Sequence, residues 1–211
     1  MIYTKKIRSA IRFAIKTHEI YQKQKRKGKD VAYISHPLTV GIILASTGAK
    51  EDVVVAGILH DTIEDSIKGK KVSEKMLIER FGGEVAALVA SVTEKDKELS
   101  WDQRKQSAIS SIPHLSHESL LLKSADVVSN VSELIDDFAR KGDSIFSDFN
   151  APKDKILDHH IKAIGVIVSC WEKNPLKSDL ISLAGDLKKI KLLKLTENSL
   201  YDKKCSQHIT N

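Results

Sequence analysis

The stretch VVVAGILHDTIEDS, residues 53–66, decides the fold class. Its first seven residues are rich in β-branched side chains and could form a buried strand. They do not alternate apolar with polar, however, and the segment from Lys50 to Asp65 is about four helical turns long. That length without strand periodicity predicts a buried helix. On such a helix His60 and Glu64 are neighbours one turn apart, as are Asp61 and Asp65, and Asp61 and Glu64 are three apart. Three carboxylates then crowd one helix end with no Lys or Arg before Lys68. Like charges at this spacing repel, and a helix C-terminus disfavours negative charge. A bound divalent cation would reverse both penalties.

Working outward, the rest of the chain also reads as helix. Ile7, Ala10, Ile11, Ala14, Ile15 and Ile20 give an amphipathic first helix ending near Tyr21. A basic loop, Lys23 to Lys29, follows with Gly28 as its turn residue. Pro37 suits the start of a second helix reaching about Thr47. Beyond the decisive segment, Ser73 is placed to cap a helix that FGG at 81–83 ends, and further helices are expected over 84–93 and 101–111. Apolar residues at three-to-four spacing predict a long helix over 118–140. Lys141 to Ala151 reads as a long mobile loop, 153–171 as a further helix, and Pro175 as the opening of a last one reaching about Leu195. No repeat or domain boundary interrupts this pattern. The expectation is an all-α helical bundle, a single domain over 1–195 with a polar tail, 196–211, that frays.

Composition narrows the class. The charge of +6 is a mild excess that suits an anionic ligand without naming one. Cys170 and Cys205 lie far apart and form no CxxC pair, which argues against thiolate zinc or a disulfide framework and fits a reducing, cytoplasmic setting. Arg12 and Lys16 interrupt any secretory signal after Lys5, Lys6 and Arg8. The longest run without formal charge, 31–49, contains His36, Pro37 and several hydroxyls, so no membrane span is expected.

A second polar stripe lies on the 118–140 helix, where Asp126, Asn130 and Glu133 share a face. With His36 just before Pro37, the candidate donors are mixed imidazole and carboxylate, which suits Mn²⁺, Fe²⁺ or Zn²⁺ better than Ca²⁺. Four protein donors leave open positions only on a five- or six-coordinate ion, which favours Mn²⁺ or Fe²⁺. Taken singly, each residue has a plainer reading. A His-Asp pair is usually solvated surface. Asp126 could simply pair with Lys123 at i−3, and His18 could pack or bond locally. His114, His117, His159, His160 and His208 stand in polar or loop settings and are left out.

Four stretches carry a family resemblance: KRKGKDVAYISHPLTVGIIL at 25–44, VVVAGILHDTIEDS at 53–66, FGGEVAALVASVT at 81–93 and LLLKSADVVSN at 120–130. In this order and spacing they resemble the HD superfamily of metal-dependent phosphohydrolases, and within it the hydrolase domain of RelA/SpoT alarmone enzymes and the small Mesh1-type alarmone hydrolases. The resemblance implies an all-α bundle with one divalent metal, Mn²⁺ first, in a central cleft. It implies His36, His60, Asp61 and Asp126 as ligands, and Glu64 and Asp65 as the pair that positions or deprotonates water. It further implies Lys25, Arg26, Tyr33 and Asn130 around the nucleotide. Two positions depart from the family, where Val127 and Ser132 stand in place of the usual basic residues. The 40 residues that remain are too few for a nucleotidyl-transfer domain.

The function this implies is removal of the 3′-pyrophosphate from guanosine tetra- or pentaphosphate. The partner is a small anionic nucleotide, and a homo-oligomer is compatible with the sequence. One alternative is a hydrolase of another phosphorylated nucleotide, such as NADPH or a nucleoside phosphate. Another is a module that binds nucleic acid through the 23–29 loop or senses an alarmone without turnover. The loop lacks the interleaved aromatics of single-strand binders, and the complete ligand set argues for turnover.

Overall fold

The computed structural model describes residues 3–94 and 98–206, with 194–206 as backbone only. Ten α-helices follow in chain order: α1 Lys5–Ile15, α2 Ser35–Ser46, α3 Glu51–Leu59, α4 Thr62–Asp65, α5 Glu74–Phe81, α6 Gly83–Val92, α7 Trp101–Ser111, α8 His117–Lys141, α9 Lys153–Cys170 and α10 Lys177–Ser206. No strand occurs among the described residues, and the all-α expectation holds.

The decisive segment is helical and central. Val53 to Leu59 are all buried, and α3 is surrounded by α1, α2, α6 and α8. A helix apolar on every side must be enclosed, which accounts for its lack of a polar face. Its closest neighbour is α2. A Cβ on Gly57 would fall 2.3 Å from Leu44 Cδ1, and one on Gly41 2.6 Å from Ile58 Cγ1, so a side chain of each helix seats on a glycine of the other.

Four starts are capped by hydroxyls. Thr4 accepts from the Ile7 amide, Ser73 from Met76 as its position predicts, and Ser116 from Ser119. Ser100 and Gln103 form a reciprocal capping box on α7.

The structure corrects several boundaries. The expected single helix over 50–65 breaks at His60 and Asp61. The Gly57 and Leu59 carbonyls, which an unbroken helix would give to later amides, accept instead from the His60 ring (2.8 Å) and the Thr62 hydroxyl (2.7 Å). The first helix does end at Tyr21, but its last stretch, Lys16–Tyr21, widens into a π-helix. The stretch expected as a mobile loop forms 3₁₀ turns over Gly142–Asp148 instead. Ile145 and Phe146 are buried there, and Lys153 is held over the Phe138 and Phe146 rings. The last helix begins at Lys177 rather than Pro175 and continues past Leu195 to Ser206, while 207–211 of the expected fraying tail lie outside the described residues. Among the described residues no helix is long and apolar enough to cross a membrane.

Candidate metal centre and anion cleft

Three elements bring the predicted donors together. His36 comes from the first turn of α2, His60 and Asp61 from the break after α3, and Asp126 from the middle of α8. The donor atoms of His36, His60 and Asp126 all lie within 4.8 Å of one another. Asp61 joins them through Oδ2, which is 3.0 Å from His60 Nε2 and 3.7 Å from His36 Nε2. Asp126 Oδ1 is 3.3 Å from His36 Nε2 and 3.8 Å from His60 Nε2.

Both imidazoles are oriented from behind. His60 Nδ1 donates to the Gly57 carbonyl, which orients the ring and leaves Nε2 facing the carboxylates. His36 Nδ1 bonds the buried Ser129 hydroxyl at 3.0 Å. His60 Nε2 is buried without a hydrogen-bond partner, although Asp61 Oδ2 lies 3.0 Å away. A buried orphan nitrogen is costly unless something else binds it. Two imidazoles and two carboxylates converging on that point fit a divalent transition metal.

The electrostatics agree. Burial disfavours a charged His60, yet the Asp61 and Asp126 carboxylates outweigh it and raise its pKa to about 9. Burial works against ionised Asp61 and Asp126 too, but the histidines beside both, and Lys123 beside Asp126, hold these carboxyls below the usual range. The centre therefore draws in positive charge. Asp126 confirms its plainer reading as well, since Lys123 Nζ sits 2.9 Å from its Oδ2.

The acidic pair flanks the centre. Asp65 accepts from Gln24 Nε2 at 3.0 Å, and the same glutamine meets the buried His18 ring at 3.2 Å. Glu64 accepts from the Glu94 amide at 3.3 Å. Burial, then the charges of Asp61 and Glu94, push the Glu64 pKa up.

A cleft of about 490 Å³ opens beside the centre, and the basic loop forms one wall. Arg26 is held by Glu133, by Asn130 Oδ1 at 2.9 Å and over the Tyr33 ring. Lys29 pairs with Glu133 and Asp137. These cations turn inward onto α8, which does not suit a nucleic-acid surface. Lys25 lines the cleft but is about half exposed and pairs with Asp30 at 2.8 Å. Lys27 has no ion-pair partner among the described residues. It lies over the Phe149 ring, and burial and then the charges of Lys105, Arg104 and Arg26 depress its pKa.

The opposite wall went unread in the sequence. Arg104 and Lys105 of α7 both pair with Glu94. His159 and His160, left out as standing in polar or loop settings, line the cleft where it meets the metal centre. Burial lowers their pKa values to about 3 and about 4, so both rings are neutral at pH 7. Adjacent histidines on α9, one turn past the buried Ile156, were the available signal.

An all-helical domain with paired His and Asp side chains on facing helices is the arrangement of a metal-dependent hydrolase centre. The profile described as HD domain matches residues 10–156, and the chain belongs to that family. It is 35% identical over 126 residues to the guanosine-3′,5′-bis(diphosphate) 3′-pyrophosphohydrolase MESH1 of Danio rerio, covering 59% of this chain and 66% of that relative. A crystal structure from Listeria monocytogenes EGD-e superposes with a TM-score of 0.65 at 32% identity, covering 74% of this chain and 97% of that one. A metazoan ortholog of SpoT that hydrolyses ppGpp shares the fold, with a TM-score of 0.69 at 22% identity over 90% of this chain and 96% of the other.

Proposed function

We propose that this chain is a cytoplasmic, metal-dependent nucleotide pyrophosphohydrolase that removes the 3′-pyrophosphate of guanosine tetra- or pentaphosphate. The observation that carries it is the buried, unpartnered Nε2 of His60, facing two carboxylates beside a cation-lined cleft. The activity of the Danio rerio relative supplies the substrate class. Mn²⁺ is the proposed ion, with His36, His60, Asp61 and Asp126 as its ligands, because four mixed donors leave open positions on a six-coordinate metal. When bound, the ion acidifies water and neutralises charge on the phosphoryl group.

The chain's own residues do the rest. Glu64 or Asp65 takes the proton as water attacks phosphorus and the bond to the 3′ oxygen breaks. Gln24 holds Asp65 in place. Arg26 and Lys27 face the remaining phosphates, with Lys25 at the rim, and Tyr33 and Asn130 border the nucleotide. The test is a product analysis with Mn²⁺ across guanosine tetraphosphate, NADPH and nucleoside phosphates. Pyrophosphate and guanosine diphosphate from the first are expected. Turnover confined to another nucleotide would move the chain to that substrate.

A further inference from the structure

Each carboxylate of the metal centre presents one oxygen to the imidazoles, and in both cases a neutral donor holds that oxygen. Tyr33 Oη donates to Asp61 Oδ2 at 2.6 Å, the oxygen that faces His60 and His36. Asn130 Nδ2 donates to Asp126 Oδ1 at 2.7 Å, again the oxygen facing both histidines. Lys123 takes the other oxygen of Asp126. The two donors meet at one guanidinium. Arg26 Nη2 donates to Asn130 Oδ1 at 2.9 Å, and the Arg26 guanidinium lies 5.4 Å above the Tyr33 ring. The Asn130 amide is thus fixed in orientation, since turning it over would aim its oxygen at a carboxylate and its NH₂ at a guanidinium.

We propose that Tyr33 and Asn130 are positioning residues for the two metal-site carboxylates, and that Arg26 closes them into one ring, so that the anion-binding loop sets the metal affinity. This rests on the metal-binding reading above. Groups that orient ligands in this way change affinity without touching the ion. Binding free energies are reciprocal, so an anion that steadies Arg26 also steadies the metal site. Arg26 separates this from simple electrostatics. Deleting a positive charge near a cation site should tighten metal binding through space, whereas opening the ring should loosen it.

The test is Mn²⁺ affinity by competition with a fluorescent chelator, without nucleotide, for wild type, Tyr33→Phe, Asn130→Leu and Arg26→Met. Melting temperatures of the metal-free proteins are measured alongside. Tyr33→Phe and Asn130→Leu should weaken Mn²⁺ by about 10- to 100-fold while still melting cooperatively, and Arg26→Met should weaken it too. Tyr33→Phe removes only a hydroxyl, so it stays readable if another variant fails to fold. Wild-type affinity in both Tyr33→Phe and Asn130→Leu overturns the proposal while leaving the metal site standing. Tighter binding in Arg26→Met overturns the closed ring. A wild-type protein that takes up no Mn²⁺ overturns this inference and the metal reading together.

Discussion

Lys123 reaches one turn along α8 to place its ammonium 2.9 Å from Asp126 Oδ2, on the side of the carboxylate away from the histidines. The Asp126 charge, outweighing burial, raises the lysine's pKa, so the pair is ionised. Without a metal, this ammonium is the main counter-charge to Asp126. Lys123→Met should therefore lower the melting temperature of metal-free protein, by a loss of about 1–3 kcal/mol for a partly buried pair. Mn²⁺ should still bind and recover most of that loss. A variant that melts like wild type without metal would show that the pair contributes nothing.

The four donors differ from Lys123 in what their loss removes. His60→Ala and Asp126→Ala should each abolish stoichiometric metal, read by elemental analysis of the dialysed protein. Full retention of the ion in both variants would sink the assignment.

Glu64 gives the pH dependence. Its folded pKa is raised by burial and by Asp61 and Glu94, so the folded protein favours the protonated form. That contribution is present below the ordinary glutamate pKa and is lost as pH rises through the raised value. Metal-free Glu64→Gln should accordingly melt like wild type in acid and above it at neutral pH. With metal and nucleotide, Glu64→Gln or Asp65→Asn should cost about 10²–10⁴ in kcat, whichever is the base, at unchanged metal content. Near-wild-type turnover in both would refute the base assignment.

The loop lysines should split. Lys27 stands over the Phe149 ring unpaired with any described carboxylate, whereas Lys25 is engaged by Asp30. Lys27→Met should raise KM by about tenfold or more with little change in kcat, and Lys25→Ala should stay close to wild type. The reverse ranking would assign substrate contact to Lys25.

The sequence made most of the helices legible, because periodicity reports a buried face directly: α3 is enclosed just where VVVAGIL has no polar side. The donors were legible as a set through family order and spacing, and Lys123 through simple helical geometry. What stayed hidden depends on partners far along the chain. Arg26 meets Glu133 across 107 positions, and no local pattern announces that. The break at His60 arises because two side chains capture backbone carbonyls, a competition that apolar spacing does not register. Lys141 to Ala151 looked like a loop by its Gly and Asp content, yet Ile145 and Phe146 anchor it. His159 and His160 were left out for their polar setting, because nothing in their neighbourhood shows which side of α9 meets the cleft.

The contact at Gly41 and Gly57 has a consequence for how the centre tolerates change. His36 lies on one of the two touching helices and His60 directly follows the other, with ring centroids 5.1 Å apart. Their separation follows from how closely Leu44 seats on Gly57 and Ile58 on Gly41, each filling the space a Cβ would take. Hydrophobic residues elsewhere in the interior can drift in size while the ionic radius that fits between the imidazoles stays the same. A methyl group added at either glycine must displace Leu44 or Ile58, and reaches that radius through them.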